Sequence, residues 1–141
     1  MKNKSNLGFT LIELMIVTEV MSILVAIAIP TLIRSRIMAN ETTAVGNLRM
    51  IGTGEVQYNL SHNRFGTLEE LCAGDQEIAA LPGNWNNGVV KSQYTYSYEP
   101  ADIQTESFLV TATPVAVNRT AIRTYWIDAT GEINFAMPTA P

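Results

Sequence analysis

The chain has a single cysteine, Cys72, and a single histidine, His62, among 141 residues. One thiol closes no intramolecular disulfide, and the count excludes zinc fingers, paired-thiol redox motifs and iron–sulfur ligation. Cys72 and His62 stand ten residues apart in a loop-like stretch with no orienting motif, so the thiol reads as a small apolar residue rather than a nucleophile. Charge is also sparse: Asp, Glu, Lys and Arg make up 16% of the chain and the net charge is −4. An acidic balance argues against nucleic acid as the main partner. No P-loop, nucleophilic triad or paired catalytic carboxylates occur, so neither an enzyme nor a cofactor is expected. The acids Asp75, Glu77, Asp102 and Glu106 lack the Asp/Asn/Gly spacing of a calcium-binding loop, and no metal ligands are assigned.

What the chain does have is a long apolar run. Residues 9–29 number 21, which at about 1.5 Å per residue matches a bilayer core of about 30 Å. The residues ahead of it, Met1-Lys2-Asn3-Lys4-Ser5-Asn6-Leu7-Gly8, carry two lysines and no acid. The positive-inside rule therefore keeps this end cytoplasmic and exports everything after residue 29. Within the run stands Glu13, although an ionised group in hydrocarbon costs roughly 2.5 to 3.5 kcal/mol on insertion scales. Such an acid needs a cation.

The leader ending in Gly8, the stretch Phe9-Thr10-Leu11-Ile12-Glu13-Leu14-Met15-Ile16-Val17 and the later Ile23-Leu24-Val25-Ala26-Ile27-Ala28-Ile29-Pro30 resemble a type IV prepilin or a type II secretion pseudopilin. The resemblance implies cleavage by a prepilin peptidase between Gly8 and Phe9, and N-methylation of the new Phe9 amine. It also implies that Glu13 pairs with that amine on a neighbouring subunit during filament assembly. Physically, the pair neutralises two charges at once and forms only when two helices are staggered by about one turn, which fixes register in a growing filament. Two other readings compete. One is a secretory signal with Ala26-Ile27-Ala28 as its cleavage site, but Glu13 and Glu19 interrupt the run and it exceeds the usual apolar region of about 7 to 15 residues. The other is a plain signal anchor, which leaves Glu13 unexplained.

The chain departs from the family pattern at Glu19, a second intramembrane acid where relatives commonly carry a small apolar residue, and at Ser22, where many carry glycine. Glu13 and Glu19 are six residues apart, about 240° net around a helix, so one partner cannot serve both. Pro30 removes a backbone donor and is expected to kink the helix as it leaves the membrane.

The remainder, once the leader is gone, is long enough for one modest core. Residues 31–60 place Ile33, Ile37, Ala44, Leu48, Ile51 and Tyr58 at mostly three- to four-residue spacing, an amphipathic continuation of the helix. Arg34, Arg36 and Glu41 read as solvated surface beyond the membrane exit, in preference to lipid-headgroup contact. The glycines at 46, 52 and 54 weaken an isolated helix and suggest close packing or curvature. Residues 61–92 are rich in turn signals around a helical patch at 67–72, where Thr67 and Glu70 form a capping box. Four strand-like runs follow, at 93–99, 107–113, 121–128 and 132–135, with Asp128-Ala129-Thr130-Gly131 as the last turn. Tyr94, Tyr96 and Tyr98 share one face of the first run and are expected to pack on neighbouring strands and the helix. Trp85, with polar flanks, reads as the better surface contact, or else as a plug beneath its loop. Asn118-Arg119-Thr120 matches a glycosylation acceptor pattern too short to carry a role.

The expectation is an α+β fold: a long N-terminal helix, transmembrane in its first half, packed on a small antiparallel sheet, which is also the ladle that the resemblance implies. Its divisions are a leader at 1–8, a transmembrane and polymerisation helix at 9–30, its amphipathic continuation at 31–60, a connecting region at 61–92 and the sheet at 93–141. The expected function is a structural subunit of a type IV pilus-like filament. Its partners would be prepilin peptidase, copies of itself and other pilins, the pilus or secretion assembly machinery of the inner membrane, and membrane lipid before assembly. A type II secretion pseudopilin is the alternative, although the C-terminal half lacks the Asp-Pro-Trp-Gly signature of many major pseudopilins. A membrane-anchored extracytoplasmic binding module is the reading from a different class.

Overall fold

Helix α1 (Leu11–His62) starts where the sequence supplies a cap. Thr10 and Glu13 close a capping box, the Glu13 carboxylate accepting from the Thr10 amide at 2.8 Å and the Thr10 hydroxyl accepting from the Glu13 amide at 3.3 Å. These bonds satisfy donors that a helix start otherwise leaves orphaned. The helix thus begins two residues into the apolar run, with Phe9 and Thr10 ahead of it. The computed structural model describes residues 8–73, 81–99 and 107–137. Lys2, Lys4, Asp75, Glu77, Asp102 and Glu106, on which the sequence reading drew, lie outside the described residues.

The chain divides into two compact units, Met1–Ser35 and Arg36–Pro141. In the first, every described side chain is exposed, including Leu11, Ile12, Leu14 and Ile16. Its hydroxyls turn back on the helix: Thr18 donates to the Met15 carbonyl, Ser22 to Glu19, Thr31 to Ile27 and Ser35 to Thr31, at 2.7–3.0 Å. A hydroxyl satisfied by its own backbone no longer demands water, which lowers the penalty for moving this segment into an apolar environment.

The second unit is a meander of five antiparallel strands, β1 (Val89–Lys91), β2 (Tyr94–Glu99), β3 (Leu109–Pro114), β4 (Thr124–Asp128) and β5 (Ile133–Ala136), ordered as in the chain. The α+β expectation holds. Helical residues Ala44, Leu48 and Ile51 join Tyr94, Tyr96, Tyr98, Val110, Ala112, Tyr125 and Ile127 in a single core. The expected packing of the tyrosine stripe is what the sheet shows, since all three rings are buried. Their hydroxyls show why tyrosine rather than phenylalanine suits the first two positions. Tyr94 donates to the Arg123 carbonyl at 2.8 Å and Tyr96 accepts from Asn47 at 2.9 Å. Gly52 is the close approach that the helical glycines suggested: a Cβ there would lie 2.5 Å from Cδ1 of Ile127. Gly46 faces open space and has no such reason.

The sequence pattern predicts four strands, and the sheet has five. β1 sits inside the stretch read as connecting loop because it is three residues long and its hairpin turn carries no glycine. Ser92 and Gln93 take φ of 49° and 66°, a geometry normally signalled by Asn-Gly. The turn after β4 follows expectation, with Gly131 at φ 77° and its amide donating to the Asp128 carbonyl at 3.0 Å. Helix α2 (Leu68–Ala73) opens on the anticipated capping box, Thr67 N to Glu70 at 2.9 Å and Glu70 N to the Thr67 hydroxyl at 3.2 Å.

The structure decides between the two readings of Trp85 and corrects that of Glu41. Trp85 is a plug, not a contact surface. Its ring is buried edge-on to Tyr96 at 5.2 Å, its Nε1 donates to the Pro82 carbonyl, and Lys91 Nζ covers it at 4.2 Å. Polar neighbours in sequence did not keep it outside because the indole offers the largest apolar area in that loop. Glu41 is not solvated surface either, its side chain being only 13% exposed. It accepts from the amides of Ile122 and Arg123 at 3.1 and 3.2 Å and from the Tyr125 hydroxyl at 3.3 Å, clamping the loop between β3 and β4 to the helix.

Candidate functional site

The residues singled out by the sequence lie in the first unit, on a helix that leaves its apolar side chains bare. Gly8 precedes the helix, and a Cβ added there would meet nothing within 4 Å. Its φ is not in the left-handed region. Neither space nor backbone conformation therefore demands glycine at position 8. Phe9 follows with its ring exposed.

Glu13 directs both of its bonds to one oxygen. Oε2 accepts from the Thr10 amide and from the Thr10 hydroxyl, each at 2.8 Å, while Oε1 has no such partner among the described residues. The carboxylate is thus held against the first turn, where the positive end of the helix dipole favours it, with its second oxygen left for another donor. Thr10 went unnoticed in the sequence reading, although Thr10-Leu11-Ile12-Glu13 is the S/T-x-x-E pattern that signals this box. Glu19 lies further along, and its own carbonyl is taken by the Ser22 hydroxyl at 2.7 Å. The helix separates Glu13 from Glu19 rather than bringing them together. Pro30 stands inside α1, which continues past it.

The described residues hold no group of three or more His, Cys, Asp or Glu able to cage a metal ion. His62 stacks on Tyr58, ring centroids 4.1 Å apart, and Cys72 packs against the core, where desolvation raises its thiol pKa. An apolar window in α1 is long and greasy enough to cross a membrane.

Residues 3–29 match the family model described as the prokaryotic N-terminal methylation motif. The chain is 40% identical over 63 residues to the type IV major pilin protein PilA of Myxococcus xanthus, an alignment covering 45% of this chain and 29% of that one. It is 38% identical over 85 residues to the type IV wide pilus major component PilA4 of Thermus thermophilus, covering 60% and 64% respectively. With the type II secretion system core protein G of Aeromonas hydrophila it shares 30% over 70 residues, covering 50% and 49%. Over this segment the chain is similar to type IV pilins and to a type II secretion protein. The chain covers less than two thirds of each of these relatives. No solved structure matches it.

The second unit holds one more group that sequence reasoning missed. Glu55, on the core-facing side of α1, is fully buried. Its Oε2 accepts from the Gly66 amide at 2.9 Å and its Oε1 has no hydrogen-bond partner. Burial, reinforced by the nearby Glu70 and only partly offset by the Gly66 bond and Arg64, raises its pKa from 4.5 to about 7. The available signal was an acid continuing the series Leu48, Ile51, Glu55, Tyr58, where apolar residues belong.

Proposed function

We propose that the chain is a structural subunit of a type IV pilus-like filament, processed by prepilin peptidase and polymerised through its apolar N-terminal helix. The observation that carries this reading is a methylation motif at 3–29 on a helix whose apolar side chains have no cover of their own. A segment of that length is accommodated by lipid before assembly and by like segments after it, each buried side chain contributing on the order of 1.5 to 3 kcal/mol relative to water.

The chain inserts in the inner membrane with its lysine-bearing end cytoplasmic, and the peptidase cuts between Gly8 and Phe9. The new Phe9 amine is cationic near neutral pH. Glu13 keeps its Oε2 on Thr10 as the helix cap and offers Oε1 to the ammonium of an adjoining copy. A carboxylate serving both roles enters the apolar filament core without leaving a bare charge. Pro30 lies where the apolar run ends, and Glu19 needs a separate donor. The assembly machinery then extracts the helix into a filament, which carries the sheet unit outside the cytoplasm.

A pseudopilin of a type II secretion system is the second reading, favoured by the likeness to the secretion system protein of Aeromonas hydrophila. A membrane-anchored binding module is the third. Mass spectrometry of the mature N-terminus separates assembly from anchoring: a methylated Phe9 is expected, and an intact Met1 in cells containing the peptidase would overturn the processing step.

A further inference from the structure

Strand register divides the sheet unit into two ends of opposite charge. At one end, Lys91 pairs with Tyr94, Tyr94 with Pro114, and Thr124 with Ala136. The β3–β4 loop belongs to this end, and the Asn40–Thr120 bond at 2.8 Å, with the Glu41 clamp, brings the first helical residues of the unit there. Its charges among the described residues are Arg36, Lys91, Arg119 and Arg123 against Glu41 alone. Glu41 is already engaged by Arg123 at 3.7 Å and by two amides. At the other end, Glu99 pairs with Leu109 and Leu109 with Asp128, and Glu132 and Glu69 lie beside them. The basic end also exposes Met38, Val115, Val117, Ile122 and Met137.

Arginines interleaved with exposed aliphatic side chains suit a surface that is anionic outside and apolar beneath. Arg36 lies seven positions beyond Ile29, the end of the apolar run, with six residues between them. Whatever their conformation they reach about 10 Å if helical and about 25 Å if extended. A bilayer that takes up residues 9–29 therefore lies within reach of this end and not by necessity of the acidic one. We propose that the basic end of the sheet unit docks on anionic phospholipid headgroups before assembly, with Arg36 and Arg119 as headgroup ligands and Val117 and Ile122 entering the interface. Arg123 is committed to Glu41 and, at 5.1 Å, to the Phe135 ring, so it holds the loop in shape.

The inference rests on the membrane reading of residues 9–29, and the test distinguishes the two. The full chain is reconstituted, one copy per nanodisc, in phosphatidylcholine or in phosphatidylglycerol, with an environment-sensitive fluorophore at Val117→Cys in a Cys72→Ser background. A control probe sits at Thr130→Cys, at the acidic end. The Val117 probe is expected to shift to the blue in phosphatidylglycerol and to return towards its aqueous spectrum in high salt, while the Thr130 probe stays put. Replacing Arg36→Gln and Arg119→Gln together lowers the ratio of docked to undocked probe about thirty-fold, since each basic residue at an anionic surface is worth about 1 kcal/mol. Amide hydrogen exchange over residues 115–122 of the unsubstituted chain, slower in the anionic disc, gives the same readout without mutation. Identical spectra and exchange in both lipids overturn the docking surface while leaving the membrane segment intact. A shift that grows with copies per disc assigns the face to a second copy instead, and failure to enter either disc overturns the membrane reading itself.

Discussion

The two units handle the same problem, a carboxylate among apolar side chains, in opposite ways. Glu13 lies on an exposed helix and is satisfied locally, by the amide and hydroxyl of Thr10. Glu55 is shut inside a finished core with one oxygen bonded to Gly66 and the other unpaired. The first acid is ready to take a partner from outside and the second is closed to one. The difference teaches that burial alone does not mark an assembly acid. An acid proposed to register a second chain needs an open oxygen at an uncovered surface, because only there is such a chain able to complete the pair.

The strongest way to break the comparison is to remove the charge at Glu13. Glu13→Gln keeps a capping acceptor for Thr10 but offers no anion to an incoming ammonium. Filament yield is expected to fall to background on shearing and immunoblotting while the membrane-inserted level is unchanged. Undiminished filaments would transfer the registering role away from this residue. Glu55→Gln in the same assay is expected to leave assembly intact, since the side chain touches only its own unit.

Glu55 has its effect on stability instead, with a definite sign. Its folded pKa is raised from 4.5 to about 7, so between those values the folded state holds a proton that the unfolded state has lost. Stability therefore falls as pH rises from about 4.5 to 7 and is level above, by on the order of 3 kcal/mol for a shift of that size. Urea unfolding of the full chain in detergent, followed through the buried Trp85, measures this slope. Glu55→Gln should flatten it, and a variant with the wild-type slope would assign the titration to another group.

Much of the arrangement was legible because it rests on periodicity and local chemistry. The apolar run, the three- to four-residue spacing through Ala44, Leu48 and Ile51, the Thr67–Glu70 box and the alternation of Tyr94, Tyr96 and Tyr98 each carry their own signal. What escaped depends on residues far apart in sequence or on signals that were present but overlooked. Glu41 meets its amides more than eighty positions away, and nothing nearby says that it will be needed there. β1 hides behind a turn whose positive φ values fall on serine and glutamine. Trp85 is decided by the apolar area of its ring rather than by its polar neighbours. The Thr10–Glu13 box is readable as Thr-x-x-Glu, which gives Glu13 a duty as a cap beside its charge.

The core of the second unit is sharpened by Gly52→Val. The added side chain begins 2.5 Å from Ile127 Cδ1, and overpacking of this kind is expected to cost about 1 to 3 kcal/mol. Adding Ile127→Ala should restore part of that loss, whereas independent effects would simply sum. Thermal unfolding of the two single variants and the double variant decides between coupling and additivity.

Glu70 gives the smallest effect and the reverse pH dependence. The Arg64 guanidinium, bonded at 2.8 and 3.0 Å, is the main reason its pKa falls from 4.5 to about 2. A depressed carboxyl contributes stability above the unfolded value and loses it as pH drops through the folded one, so its window runs from about 4.5 down to 2. Both side chains are 38% exposed, and solvent screening limits the pair to less than about 1 kcal/mol. Glu55 weakens the fold on the alkaline side of 4.5 and Glu70 on the acid side, so these two groups place their joint optimum near pH 4.5. Glu70→Gln should remove the acid limb and, by taking away a charge that helps to raise the Glu55 pKa, reduce but not abolish the decline between 4.5 and 7.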